Sequence, residues 1–198
     1  MKYIKLGIAV MLTSFTFISC EETNKTGNVT GDKDTMVLKE GENVSSQKKE
    51  NTNWNEVSFT SPIVRYDEIT AKDLEVREDD KFVTYGMEEN ILFASGSAEV
   101  KPESKENLNQ IMTSMNKRTP DSEIRIYGFT DSVDTKEFNK KLSRDRAESV
   151  KNYLVQNGNI AENRISIEAE GESNPVASNE TAKGRQQNRR VIIVAEKN

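Results

Sequence analysis

Histidine is absent from this 198-residue chain, and cysteine occurs once, at residue 20. Without histidine there is no Ser-His or Cys-His nucleophile, and the commonest zinc ligand is missing. A single cysteine excludes an intrachain disulfide and a thiolate metal cluster. Only carboxylate chemistry of the glycosidase kind stays open to catalysis, and no metal or cofactor is expected. Basic charge is also scarce: a formal −5 and a pI near 5.1 argue against nucleic acid, whose phosphates demand an excess of Lys and Arg. Hydrophobic residues make up 34% of the chain against 31% charged, too few for one core throughout, so part of the chain is expected to pack nothing.

The longest apolar stretch, Leu6 to Ile18, is shorter than the roughly 18–20 residues a membrane-spanning helix needs. Lys2 and Lys5 precede it, as in a secretory signal. No A-x-A cleavage site follows. Instead the chain reads Phe17-Ile18-Ser19-Cys20, which resembles the bacterial lipobox, with Phe17 where leucine is usual. That resemblance implies a signal peptide over 1–19 and an acylated Cys20 that inserts into outer-membrane lipid. One acyl chain attaches only marginally, at about 0.8 kcal/mol per buried CH₂, whereas the two or three chains of a lipoprotein hold firmly.

Residues 20–53 carry only Val29, Met36, Val37, Leu38 and Val44 to bury and sustain no period, which predicts a flexible tether. As a coil, about 33 residues span roughly 30 Å; stretched, they exceed ~100 Å. Residues 54–86 read as a strand-rich preface with short strands at Leu74-Val76 and Phe82-Tyr85. From Met87 the pattern predicts a buried strand at Asn90-Phe93 and a helix starting at Pro102. That helix carries Leu108, Ile111, Met112 and Met115 on one face and ends before Pro120. A strand at Glu123-Tyr127 follows, then a second helix capped by Thr135 and stopped at Gly158, with Leu142, Ala147, Val150 and Leu154 inward. Strands at Arg164-Ala169 and Arg190-Val194 complete the pattern. Such alternation predicts an α/β fold, a two-layer α/β sandwich with right-handed crossovers over residues 87–198.

Between these elements lie Tyr127-Gly128-Phe129-Thr130-Asp131-Ser132, then Asn139, then Leu142-Ser143-Arg144-Asp145-Arg146-Ala147. Gly171-Glu172-Ser173-Asn174-Pro175 and Gly184-Arg185-Gln186-Gln187-Asn188-Arg189-Arg190-Val191 follow. Taken in this order, the blocks resemble the OmpA-like peptidoglycan-binding domain of porin tails, Pal-type lipoproteins and stator proteins. A stator is set aside because the chain lacks a transmembrane helix.

Asp131 follows a strand end, where open α/β sheets present their binding loops, and Asn139 and Arg146 lie seven apart on one helix face. A carboxylate facing a guanidinium suits a zwitterion; an ordinary surface ion pair, worth about 0–1 kcal/mol, is the plain alternative. The resemblance implies that the ligand is the diaminopimelate of a peptidoglycan stem peptide. Asp131 then takes its ammonium, Arg146 its carboxylate and Asn139 a neutral hydrogen bond, while Thr130 holds the loop and Arg189 rims the pocket. Arg185, Asn188 and Arg190 are structural on the same grounds. The chain departs from the family at Phe129, Asp134 and Ala94, where histidine, glycine and aspartate are usual. The expected function is a non-catalytic tether, lipid-anchored in the outer membrane with its C-terminal domain in the periplasm. Two alternatives are a lytic enzyme, which needs two free carboxylates across a cleft, and an envelope assembly or signalling lipoprotein whose partners are envelope proteins reached through the preface.

Overall fold

The computed structural model describes residues 52–197. The signal peptide 1–19, Cys20 and the tether up to residue 51 lie outside the described residues.

Five strands form one mixed sheet in the order β1-β2-β5-β3-β4: Leu74–Glu78, Phe82–Glu88, Arg190–Glu196, Ile124–Phe129 and Ile165–Gly171. β1 and β2 are an antiparallel hairpin whose turn is held by the Asp79 carboxylate, which accepts from Lys81 N at 2.9 Å and Phe82 N at 2.8 Å. β5 lies antiparallel between β2 and β3. β3 and β4 are parallel, which requires a long crossover, and the 23-residue helix α3 (Lys136–Gly158) supplies it. β5 is buried at every position from Arg190 to Ala195, as expected of a central strand covered on both faces.

Helix α2 (Lys105–Arg118) and α3 cover one face. The expected stripe Leu108, Ile111, Met112 and Met115 is buried there, with Ala147, Val150 and Leu154 of α3. Leu142 is only half-buried; in the first half of α3 the inward positions are Asn139, Ser143 and Arg146. That exchange of apolar for polar marks where α3 leaves the core and starts to build a site. Gly128 of β3 has no Cβ, which lets α3 lie directly against the strand; a methyl group there would collide with the Ser143 carbonyl.

The opposite face carries Phe82, Tyr127, Phe129, Ile192 and Val194, covered by Trp54, Val57 and Phe59. Trp54 stacks on Phe82 at 5.8 Å, and Phe59 meets Tyr127 and Phe129 edge-on at 5.1 and 5.6 Å. The segment from Trp54 thus closes the second face of the same sheet.

The apolar run expected as a strand at Asn90-Phe93 is instead one helical turn, α1 (Glu89–Leu92). β2 already extends to Glu88, where it pairs with Arg190 at the first residue of β5, so no further partner strand is available. Turning the chain buries Leu92 and Phe93, and Phe93 pairs only through an isolated antiparallel bridge to Val100. Helix α4 (Ala182–Asn188) was not foreseen. Thr181 caps it, and Asn188 accepts from Val176 N and Ala177 N at 2.8 and 3.0 Å, tying down the loop that precedes it.

Away from the site, Glu68 accepts from Ser114 Oγ and pairs with Arg118 and Lys117 at the end of α2. The Arg118 hydrogen bond is the main reason its carboxyl is held down at about 2, below the model-peptide 4.5. A lowered folded-state value means this contribution is complete above about pH 4.5 and disappears as pH falls towards 2. Melting curves between pH 5 and 2.5 should therefore fall less steeply for Glu68→Gln than for wild type. At neutral pH the substitution should cost about 1 kcal/mol, because water screens much of the pair. Parallel acid limbs for the two proteins would contradict this assignment.

Candidate functional site

The site is built where β3 leaves the sheet. Its pairing with β4 shifts register at Gly128/Phe129, and Thr130 N then donates to Gly171 O at 2.7 Å, pinning the strand end. Asp131 comes next and folds its own loop, Oδ1 accepting from Val133 N at 3.2 Å. Thr135 caps α3 by accepting from Phe138 N, also at 3.2 Å, which orients the first turn that carries Asn139. The Asn139 amide nitrogen lies 3.1 Å from the carbonyls of Asp131 and Asp134 and 3.2 Å from Glu172 Oε2. Asn139 thus clasps the loop to the end of β4, with its donor already shared among protein acceptors.

Two helical turns on, Arg146 is 2% exposed. Its Nη2 donates to Glu89 Oε1, its Nε donates to Ser97 O at 3.1 Å, and its guanidinium lies 5.5 Å from the centre of the Phe93 ring. Nη1 is buried without a hydrogen-bond partner among the described residues, as is Thr130 Oγ1. Burial drives the Arg146 pKa down, and the Glu89 carboxylate opposes that shift.

Asp131 and Arg146 do not form the plain ion pair with each other; each is held by another partner. Arg189 takes Asp131 instead, Nη1 to Oδ2 at 2.7 Å, and turns its Nε to Glu89 Oε2, also at 2.7 Å. Glu89 then reaches Arg146. The order is Asp131–Arg189–Glu89–Arg146, with Asp131 still close enough to act on Arg146 through space. The physical reason is burial: two guanidinium groups in one pocket cannot be balanced by one carboxylate, and a buried charge without a partner is very costly. Glu89 is the residue that sequence reasoning missed. The signal available was arithmetic: the site residues named from the sequence include two arginines, Arg146 and Arg189, and a single carboxylate, Asp131.

The remaining positions fall into place around this chain of charges. Arg190 is buried, donates to Asn174 O and Asn188 O, and stacks 3.8 Å over Phe129. Its burial lowers its pKa to about 10. Arg185 holds the carbonyls of Asn179 and Glu180. Phe129 packs into the aromatic cluster on the far face. Ala94 is exposed in a turn, and the loop it begins contributes the Ser97 carbonyl to Arg146. Asp134 is exposed and gives only its carbonyl, to Asn139. Val133 and Phe138 project from the loop and the first turn of α3, 67% and 49% exposed, next to the charged groups. Among the described residues no cluster of acidic side chains could hold a metal ion, and no helix is long and apolar enough to cross a membrane.

The OmpA family profile matches residues 92–189, which span every site residue but Glu89. The structure resembles that of the cell wall anchor of the T6SS from Pseudomonas aeruginosa, at 30% identity and a TM-score of 0.59, over 67% of this chain and 93% of that one. The chain belongs to the OmpA family. Within that family, outer membrane protein A of Bordetella avium is 50% identical over 95 residues, 48% of this chain and 47% of its own length. The peptidoglycan-binding protein ArfA of Mycobacterium bovis is 39% identical over 104 residues, 52% of this chain and 31% of its own. The chain spans half or less of the length of these curated relatives.

Proposed function

We propose that this OmpA-family chain is a non-catalytic, peptidoglycan-binding lipoprotein that ties the outer membrane to the cell wall by gripping diaminopimelate. The observation that carries the reading is Arg146: a deeply buried guanidinium with one Nη lacking a hydrogen-bond partner among the described residues, beside Asp131 at the carboxyl end of β3. A buried donor left unpaired costs about 1–3 kcal/mol, and a ligand carboxylate relieves that cost while accepting a charge-assisted bond. Asp131 Oδ2 takes the ammonium at the outer, more accessible end. Thr130 Oγ1 is a second unpartnered group in the same loop, Asn139 holds that loop in shape, and Arg189 rims the site. Both carboxylates of the cluster, Asp131 and Glu89, are bonded to arginine, which does not suit the acid and nucleophile of a glycosidase. The names of the relatives point the same way, towards outer membrane and wall.

The test is cosedimentation of the mature chain with insoluble peptidoglycan rich in diaminopimelate. Binding should be saturable and displaced by free meso-diaminopimelate, and it should fail on a wall whose stem peptides carry lysine in its place. Equal retention on both walls would sink the ligand assignment.

The anchor half of the proposal rests on Cys20, at the end of the apolar stretch where acylation requires it. Cys20→Ser should move the protein from the detergent-soluble membrane fraction to the soluble periplasmic one, with an unchanged melting curve for the folded part. An intact mass with no acyl addition on the native chain would end the lipoprotein reading.

A further inference from the structure

Glu89 lies outside the motif blocks that mark the site, yet its carboxylate touches both of the site's arginines. It is buried at the start of α1, and its backbone N–H donates to Arg189 O at 2.9 Å where the β2–β5 ladder ends. That bond fixes the Glu89 backbone beside Arg189, and the side chain spans from Arg189 to Arg146. With Asp131 the cluster comprises two cations and two anions, a formal balance of zero. Cancelling one guanidinium leaves the ligand a single net positive end, at the unpartnered Arg146 Nη1, and a single negative end, at Asp131.

We propose that Glu89 is a specificity-determining residue: it neutralises one of the two guanidinium groups, so that the site takes an ammonium next to a carboxylate and turns away a lone carboxylate. This rests on the diaminopimelate reading above and deepens it. Without Glu89 the cluster would carry two positive charges against one negative and attract carboxylates in general. Stem peptides present such groups, for example a C-terminal D-alanine carboxylate with no ammonium beside it. In a pocket this dry, one added unit charge acts on a ligand several ångströms away with little screening.

Two small probes separate the charges: N-acetyl-diaminopimelate, which keeps one zwitterionic end, and N,N′-diacetyl-diaminopimelate, which has carboxylates only. Affinities for the full mature chain in detergent are measured by calorimetry, with melting followed in parallel. Wild type should prefer the monoacetyl probe by tenfold or more. Glu89→Gln should reduce that preference about tenfold, chiefly by strengthening binding of the diacetyl probe. Arg189→Gln changes the charge in the opposite direction and should raise the preference. A Glu89 that served only the fold would lower both affinities by one factor, and that result overturns the proposal. If Glu89→Gln does not fold, Arg189→Gln decides, since its side chain is one-third exposed; an unchanged or reduced preference there overturns the proposal too. A wild type with no preference between the probes sinks the zwitterion reading itself, whatever the variants do.

Discussion

Asp131→Asn should lower affinity for insoluble peptidoglycan by roughly 30-fold to a thousandfold, about 2–4 kcal/mol, while costing about 1 kcal/mol of stability. The two magnitudes differ because the carboxylate has two jobs. In the free protein it accepts from Val133 N through Oδ1 and from Arg189 through Oδ2. Asparagine keeps the first bond, so the loop retains its shape. It loses the second, but Arg189 is one-third exposed and still ion-paired with Glu89, so water and Glu89 take up most of the slack. A bound ammonium has no such recourse: with Asp131 neutral, its charge is left partly desolvated beside Arg189. Binding isotherms by sedimentation, with melting of the same samples, give both numbers. A loss of binding no larger than the loss of stability would return Asp131 to the role of an ordinary ion-pair partner.

How much of this was readable beforehand depended on whether the signal was local. The α2 stripe showed at once because one face of that helix meets the sheet, and burial imposes the 3.6-residue period on Leu108, Ile111, Met112 and Met115. The Thr135 cap showed because capping acts within a single turn. Asn90-Phe93 misled because three consecutive apolar residues, Ile91, Leu92 and Phe93, carry no period to separate strand from helical turn; the end of β2 at Glu88 decided it, and that is a tertiary fact. Helix α4 has no apolar stripe at all and is held by Thr181 and Asn188. Isolated aromatics such as Trp54 and Phe59 did not announce that they cover Phe82 and Tyr127. At the site, the motif blocks named Asp131, Asn139, Arg146 and Arg189, which do come together. The pairing among them was not readable, because Glu89 meets Arg146 across 57 residues of chain and nothing local records that contact.

Arg146→Ala should cost about 3–5 kcal/mol of stability, because it leaves the buried Glu89 carboxylate with one arginine instead of two and opens a hole under Phe93. Loss of wall binding in that variant alone therefore says little, since the fold is damaged too. The pair Arg146→Met with Glu89→Leu separates the two effects. It removes both buried charges and refills most of the volume, and replacing a buried ion pair by well-packed apolar groups is often neutral or stabilising. Arg189 keeps Asp131 as its partner in that background. Most of the stability lost in Arg146→Ala should therefore return in the double variant, whereas binding should not, because the Arg146 guanidinium is gone and Arg189 stays engaged with Asp131. Arg146→Lys fills out the series: it keeps the charge but not the planar fork, so it should fold and bind more weakly than wild type. Chemical denaturation and sedimentation on the same four proteins read both quantities. A double variant that binds peptidoglycan like wild type would show that Arg146 holds the fold and never the wall.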